Sequence, residues 1–175
     1  RRCTPEQFKH LDIVVTGAEK LPMEVADEFE SKFGVRPHEG YGTTETAPVA
    51  SVNIPDSIDT KSWTTQTGTQ IGTVGLPIPG TMLSIVDPTT LKPVPLNDSG
   101  MILIGGVQVM SGYLNDPEKT KSVIHHHNDI NWYISGDRGF LNDEGFLTIE
   151  GRFSRFAKIG GEMVSLTAVD EFILN

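Results

Sequence analysis

In the run HEGYGTTETA, His38 to Ala47, one aromatic ring, two hydroxyls and a carboxylate fall within five positions, as Tyr41, Thr43, Thr44 and Glu45. Gly40 and Gly42 bracket the ring with bare backbone. An exposed aromatic face stacks on a nucleobase for roughly 1–3 kcal/mol. Hydroxyls and backbone N–H groups bind phosphate oxygens. A lone carboxylate suits Mg²⁺, which takes one or two protein carboxylates and completes its shell with phosphate oxygens and water. Gly42 is expected to keep the Tyr41 ring face clear. The same residue types also suit a polar turn capped by a threonine, and residue chemistry alone leaves both readings open.

Two further runs hold candidate groups. In WYISGDRG, Asp137 follows a glycine between two apolar runs, where a carboxylate can accept from the two hydroxyls of a ribose diol or from its own turn backbone. GRFSRFAKIGGEM places Arg152, Arg155 and Lys158 together in an otherwise acidic chain. Guanidinium forks suit phosphate and diol oxygens, and an ordinary solvated loop carries the same charges. His125, His126 and His127 are consecutive, so their side chains diverge, and no cysteine or histidine stands at ligand spacing from them. TGTQIGTVG is rich in glycine but lacks the Gly-Lys-Ser/Thr ending of a phosphate loop.

The elements that must hold these residues are legible in outline. LDIVV, Leu11 to Val15, is a short apolar run that reads as a buried strand. Pro22 suits the first position of a helix, Val25, Ala26, Phe29 and Phe33 share one helical face, and Gly34 is the stop. VRPHEGYG returns as extended chain, completing a β-α-β unit with parallel strands. TGAE and GYGTTE then both follow strands, where open α/β sheets bind ligands. Asn53 to Thr69 lacks periodicity and reads as a long surface loop. TMLSIVD, GMILIGG and GFLTIEG are strand signals, and LNDEGFL is a hairpin turn. The fold expected is α/β plus β. Residues 1–70 form the end of a parallel-sheet α/β subdomain, 71–151 a small, mostly antiparallel β subdomain, and 152–175 a hinge with the start of a C-terminal lid domain. Thr167 is placed to cap a final helix with Val169, Phe172 and Ile173 on one face.

The chain has 175 residues, 37% hydrophobic and 21% charged, with a formal net charge of −9. That balance excludes a free-standing nucleic-acid binder, which needs a basic footprint. No apolar run approaches the roughly 18 residues of a membrane span, and no leader opens the chain. The single cysteine, Cys3, forms no internal disulfide, which fits a cytoplasmic setting. Contact with the inner face of a bacterial cytoplasmic membrane would come through other parts of a parent protein.

TGAEKLP, EGYGTTETA, IGTVGLPIPG, GMILIGGVQVMSGYLNDPEKT, WYISGD and GRFSRFAKIGGEMVSL, in that order, resemble the adenylate-forming (AMP-binding) superfamily from about Leu11 to the end of the chain. The resemblance implies that Tyr41 stacks on adenine, Thr44 contacts the α-phosphate and Glu45 helps place Mg²⁺. Ala18, Glu19 and Lys20 would line the adenine side, with Gly40, Gly42 and Thr43 shaping the nucleotide loop. Asp137 would hold the ribose hydroxyls beside Arg152. The implied reaction is attack of a carboxylate on the α-phosphate of ATP, giving an acyl-adenylate and pyrophosphate, followed by transfer of the acyl group to a thiol. Many members carry an aspartate hinge where this chain has Ser154. That departure, and the wording RFAKIGGEMVSL, resemble the acyl–acyl-carrier-protein synthetase half of bifunctional 2-acylglycerophosphoethanolamine acyltransferases. The expected substrates are then a fatty acid and the phosphopantetheine thiol of acyl carrier protein, with Arg155 and Lys158 steering that acidic partner. An acyl-CoA synthetase and a non-catalytic nucleotide-binding relative are the alternatives. A purely structural β-rich interaction module would explain the strands but not the ordered motifs. The superfamily's Pro-Lys phosphate loop and its lid lysine are absent from the sequence, so the isolated chain is expected not to adenylate.

Overall fold

The computed structural model describes residues 3–159, 162–166, 169, 172 and 173. A short helix α1 (Pro5–Phe8) precedes strand β1 (Val14–Thr16) and helix α2 (Met23–Phe33). The helix starts one position later than its proline suggests: Pro22 is the N-cap, not the first helical residue. Gly34 ends it as expected, with φ of 76° and its N–H donating to the Glu30 carbonyl. Ala26 is buried, and Phe29 and Phe33 pack on Phe8 of α1, but Val25, one turn before Phe29, is exposed. Arg36 closes the turn after α2 by pairing with Asp27 and Glu30.

Strand β2 (Pro37–Tyr41) runs parallel to β1, with Val14 opposite Pro37 and Thr16 opposite Glu39. The expected β-α-β unit is therefore present, although β1 is three residues long and starts at Val14 rather than Leu11. Strand β3 (Ser51–Val52) adds antiparallel to β2. Asn53 to Thr69 is not a structureless loop. It contains an antiparallel hairpin of β4 (Ser57–Asp59) and β5 (Thr64–Gln66), whose turn is held by Asp59 accepting from the Lys61 N–H and the Ser62 hydroxyl. Both faces of this hairpin are exposed. No alternation of apolar and polar residues was needed to form it, so none marks it in the sequence. Strand β6 (Leu76–Pro77) then pairs with β3, giving the first sheet the order β1-β2-β3-β6.

The second sheet is antiparallel throughout. Strands β7 (Thr81–Val86) and β8 (Gly100–Gly106) pair along the full length of β7. After α3 (Pro117–Val123) and β9 (Ile124–His127), the twelve-residue β10 (Ile130–Leu141) pairs with β8, β9 and β11 (Leu147–Arg152). The LNDEGFL turn is the β10–β11 hairpin, with the Asn142 side chain accepting from the Glu144 and Phe146 N–H groups. GMILIGG is nearly continuous in apolar character because β8 is a central strand buried on both faces, with Ile102 and Ile104 fully enclosed. These two join Ile85, Tyr133, Leu147 and Ala50 in one core, so the core links the second sheet to the segment entering β3. Each fully buried aliphatic side chain contributes roughly 1.5–3 kcal/mol. Beyond Arg152 a 3₁₀ turn (Phe153–Arg155) leads to the pair β12 (Phe156–Ile159) and β13 (Glu162–Ser165). The expected cap at Thr167 lies outside the described residues, as does the side chain of Lys158. Among the described residues no helix is long and apolar enough to cross a membrane.

Candidate functional site

The parallel pair β1–β2 delivers two loops side by side at its carboxyl end. Gly17 lies so close to the end of β2 that an added Cβ would stand 3.0 Å from the Gly40 carbonyl oxygen. In the first loop, Ala18 holds a left-handed conformation (φ 75°) that a non-glycine residue rarely adopts. Ala18, Glu19 and Lys20 are all exposed. The Leu21 N–H donates to the Glu39 carboxylate at 3.1 Å, which ties the end of this loop back to β2.

The second loop leaves β2 at Tyr41 and folds back sharply. A Cβ on Gly42 would stand 1.7 Å from the Pro48 carbonyl oxygen. This corrects the role expected for that glycine: it makes room for the returning backbone, and the half-buried Tyr41 ring packs on the core. Thr43 then opens a 3₁₀ turn over Thr44–Thr46, in which its N–H donates to the buried Thr46 hydroxyl at 3.1 Å. Thr46 is thus absorbed in holding the turn, while Thr44 stands exposed.

The second sheet supplies the other half. Asp137, on β10, is only 5% exposed. The Tyr41 hydroxyl donates to one of its carboxylate oxygens at 2.6 Å, and Arg152 Nε lies 3.1 Å from the other. Ser135 accepts from the Asp137 N–H at 3.0 Å and donates to the Ile102 carbonyl at 2.8 Å, pinning the irregularity in β10 around Gly136. Glu45 is held from the loop after β8. Tyr113 Oη donates to its carboxylate at 2.7 Å and the Met110 N–H donates to its carbonyl at 2.8 Å.

The electrostatics follow these contacts. The Tyr113 hydrogen bond holds the Glu45 carboxyl below its ordinary range. In return, that bond pushes the Tyr113 phenol up to about 12. Burial, followed by the Asp137 charge, raises the Tyr41 phenol far above the usual tyrosine range. Tyr133 is raised by burial first and then by the Glu45 carboxylate. The chain has three tyrosines, and all three stand here.

Of the residues singled out from the sequence, Tyr41, Asp137 and Arg152 are brought into direct contact, and Thr43, Thr44 and Glu45 follow Tyr41 on the same loop. Ala18, Glu19 and Lys20 reach the same end of the sheet through their backbone. Tyr113, Tyr133 and Ser135 were not foreseen, although Tyr113 and Tyr133 sit in two of the ordered motifs. Asp137 retains lone pairs for two further donors, since an ionised carboxylate accepts about four hydrogen bonds. Among the described residues no group of three or more His, Cys, Asp or Glu side chains is arranged to hold a metal ion. A lone ionised carboxylate beside exposed hydroxyls fits a cation that arrives with phosphate oxygens and water, as Mg²⁺ does with a nucleotide.

The sequence profile of one family, described as AMP-binding enzyme, matches residues 2–114. The 4-coumarate–CoA ligase 2 of Nicotiana tabacum is 33% identical over 166 residues, covering 93% of this chain and 28% of the relative. The long-chain-fatty-acid–CoA ligase of Bacillus subtilis is 31% identical over 170 residues, covering 94% and 28%. The crystal structure of ATP-bound MatB from Rhodopseudomonas palustris superposes with a TM-score of 0.76 at 32% identity, covering 96% of this chain and 31% of that one. The chain therefore spans under a third of the length of these relatives.

Proposed function

The chain belongs to the AMP-binding enzyme family, and from that premise we propose that it is the nucleotide-holding part of an ATP-dependent acid–thiol ligase. A substrate carboxylate oxygen attacks the α-phosphorus of ATP. The P–O bond to the β-phosphate breaks, pyrophosphate leaves, and an acyl-adenylate remains. The sulfur of a thiol then attacks the acyl carbon, AMP departs, and the thiol proton is released to solvent.

Each residue has a task in this reading. The Asp137 carboxylate accepts from the two ribose hydroxyls and Arg152 flanks it. The Tyr41 hydroxyl holds that carboxylate in place while its ring lies against the adenine. The exposed Thr44 hydroxyl contacts the α-phosphate, and Ala18, Glu19 and Lys20 border the base with Gly40, Gly42 and Thr43 giving the loop its path. Glu45 would hold Mg²⁺, which when bound neutralises charge on the phosphates. The observation that carries the reading is the bond between Tyr41 and Asp137, which brings together two motifs 96 residues apart.

The acid is a fatty acid and the acceptor the phosphopantetheine thiol of acyl carrier protein. The motif RFAKIGGEMVSL and the Ser154 hinge support this branch. The names of the curated relatives, which are CoA ligases, favour coenzyme A as a second reading. ATP–pyrophosphate exchange in the complete protein, with carboxylic acids of several chain lengths, tests the chemistry. Exchange is expected to need an acid. It should fall about 100-fold or more in Asp137→Ala, because two hydrogen bonds to a charged group are lost. Acid-independent exchange, or an unaffected variant, refutes the reading. Comparing acyl carrier protein with coenzyme A as acceptor then separates the two branches.

A further inference from the structure

The segment between β8 and α3 touches Glu45 at both its backbone and its side chain, through Met110 and Tyr113. Tyr113 is itself braced. Its N–H donates to Thr120 Oγ1 at 2.8 Å, and that hydroxyl donates onward to the Asp116 carbonyl at 2.9 Å. Gly112 has no space beside Thr120: an added Cβ would stand 2.7 Å from its methyl group. The Lys119 ammonium lies over the Tyr113 ring, 4.3 Å from its centroid. A cation over the ring face draws electron density from the phenol and makes its O–H a stronger donor. Asp116 completes the brace by accepting from the Lys119 N–H at 3.0 Å, which starts α3.

We propose that Tyr113 is a positioning residue for Glu45, a phenol bracket carried by the start of α3 that keeps the carboxylate in one orientation before nucleotide and metal arrive. The proposal rests on the reading of Glu45 as the group that would hold the metal–phosphate unit. Freezing a side chain on binding has an entropic cost that a side chain already held in place does not incur. Without the bracket that ordering falls on the binding step, so metal–nucleotide affinity should drop about three- to tenfold.

The test uses the complete protein and two readouts. Binding of Mn²⁺–ATP is followed through the electron paramagnetic resonance signal of free Mn²⁺, with no turnover involved. Mg²⁺ dependence is read from pyrophosphate exchange. Tyr113→Phe is expected to raise both the Mn²⁺–ATP dissociation constant and the Mg²⁺ half-saturation about three- to tenfold. The KM for the carboxylic acid, and exchange at saturating Mg²⁺, should stay within about twofold of wild type, since the bracket acts only through Glu45. Lys119→Met, on the exposed face of α3, keeps the phenol and should shift the same two quantities by a smaller factor, which guards against a Tyr113→Phe protein that does not fold. Glu45→Gln separates the two layers. Metal binding weakened in Glu45→Gln but unchanged in both Tyr113→Phe and Lys119→Met overturns the bracket alone. Metal binding unchanged in Glu45→Gln overturns the reading of Glu45 and the bracket with it.

Discussion

The tyrosinate signal that appears as pH is raised reports on the site selectively, because all three tyrosines of the chain lie in it. An ordinary tyrosine ionises near pH 10, so at pH 10.5 about three-quarters of such a group is tyrosinate. Tyr113, pushed up to about 12 by Glu45, should be only about 3% ionised at that pH. Tyr41 and Tyr133 are also raised, chiefly by burial. A raised phenol is protonated preferentially in the folded state. Its stabilising contribution is complete below the ordinary value and is lost as pH rises above it toward the folded value. Absorbance near 295 nm, recorded with far-UV circular dichroism on the same sample, should therefore show almost no tyrosinate at pH 10.5 while the fold persists. In urea about three-quarters of the full amplitude should appear. In a longer protein with additional tyrosines, the difference between wild type and Tyr113→Phe isolates the same step. Reversible tyrosinate equal to about a quarter or more of the full amplitude at pH 10.5, with the dichroism intact, means that one tyrosine is ordinary. The hydrogen-bonded site described here would then be refuted.

Two further substitutions probe the framework. Gly42→Ala drives a methyl group to within 1.7 Å of a backbone oxygen that has no side-chain freedom to yield, and is expected to destabilise the fold by more than about 3 kcal/mol in urea denaturation. Stability within about 0.5 kcal/mol of wild type would show that the loop does not take this path. Tyr41→Phe removes the donor to a carboxylate that is only 5% exposed, leaving Arg152 as its charged partner, and should cost about 1.5–3 kcal/mol. A double-mutant cycle with Asp137→Asn should recover at least about 1 kcal/mol of that as coupling, and additivity would contradict the contact.

The parts of the fold that the sequence made legible are those whose burial is one-sided or complete. The β8 run is apolar because it lies at the centre of a sheet, and α2 is amphipathic and ends on Gly34. The β4–β5 hairpin was invisible for the converse reason: both of its faces meet solvent, so nothing in its residue pattern had to alternate. Val25 follows helical spacing but stays exposed, because the cover over α2 reaches Ala26, Phe29 and Phe33 and stops short of the turn before them. At the site, Tyr41, Glu45 and Asp137 could be named from their types and motif order. Tyr113 could not, since its partner stands 68 residues away and an aromatic followed by Leu-Asn-Asp reads as an ordinary turn. The need for Gly42 was visible but its reason was not, because Pro48 returns to it only once the loop has folded.

The two clasps of the site also have a bearing on how the chain reaches its final form. Tyr41 to Asp137 closes a loop of 96 residues, and Glu45 to Tyr113 one of 68. The β10–β11 hairpin, by contrast, closes across a turn of a few residues. Loop closure loses entropy that a short turn hardly incurs and that a single hydrogen bond does not offset. The hairpins of the second sheet can therefore form on local contacts, whereas the clasps must wait until both sheets have docked. The site proposed to hold a nucleotide is in this sense a late feature of the chain, assembled after most of its strands.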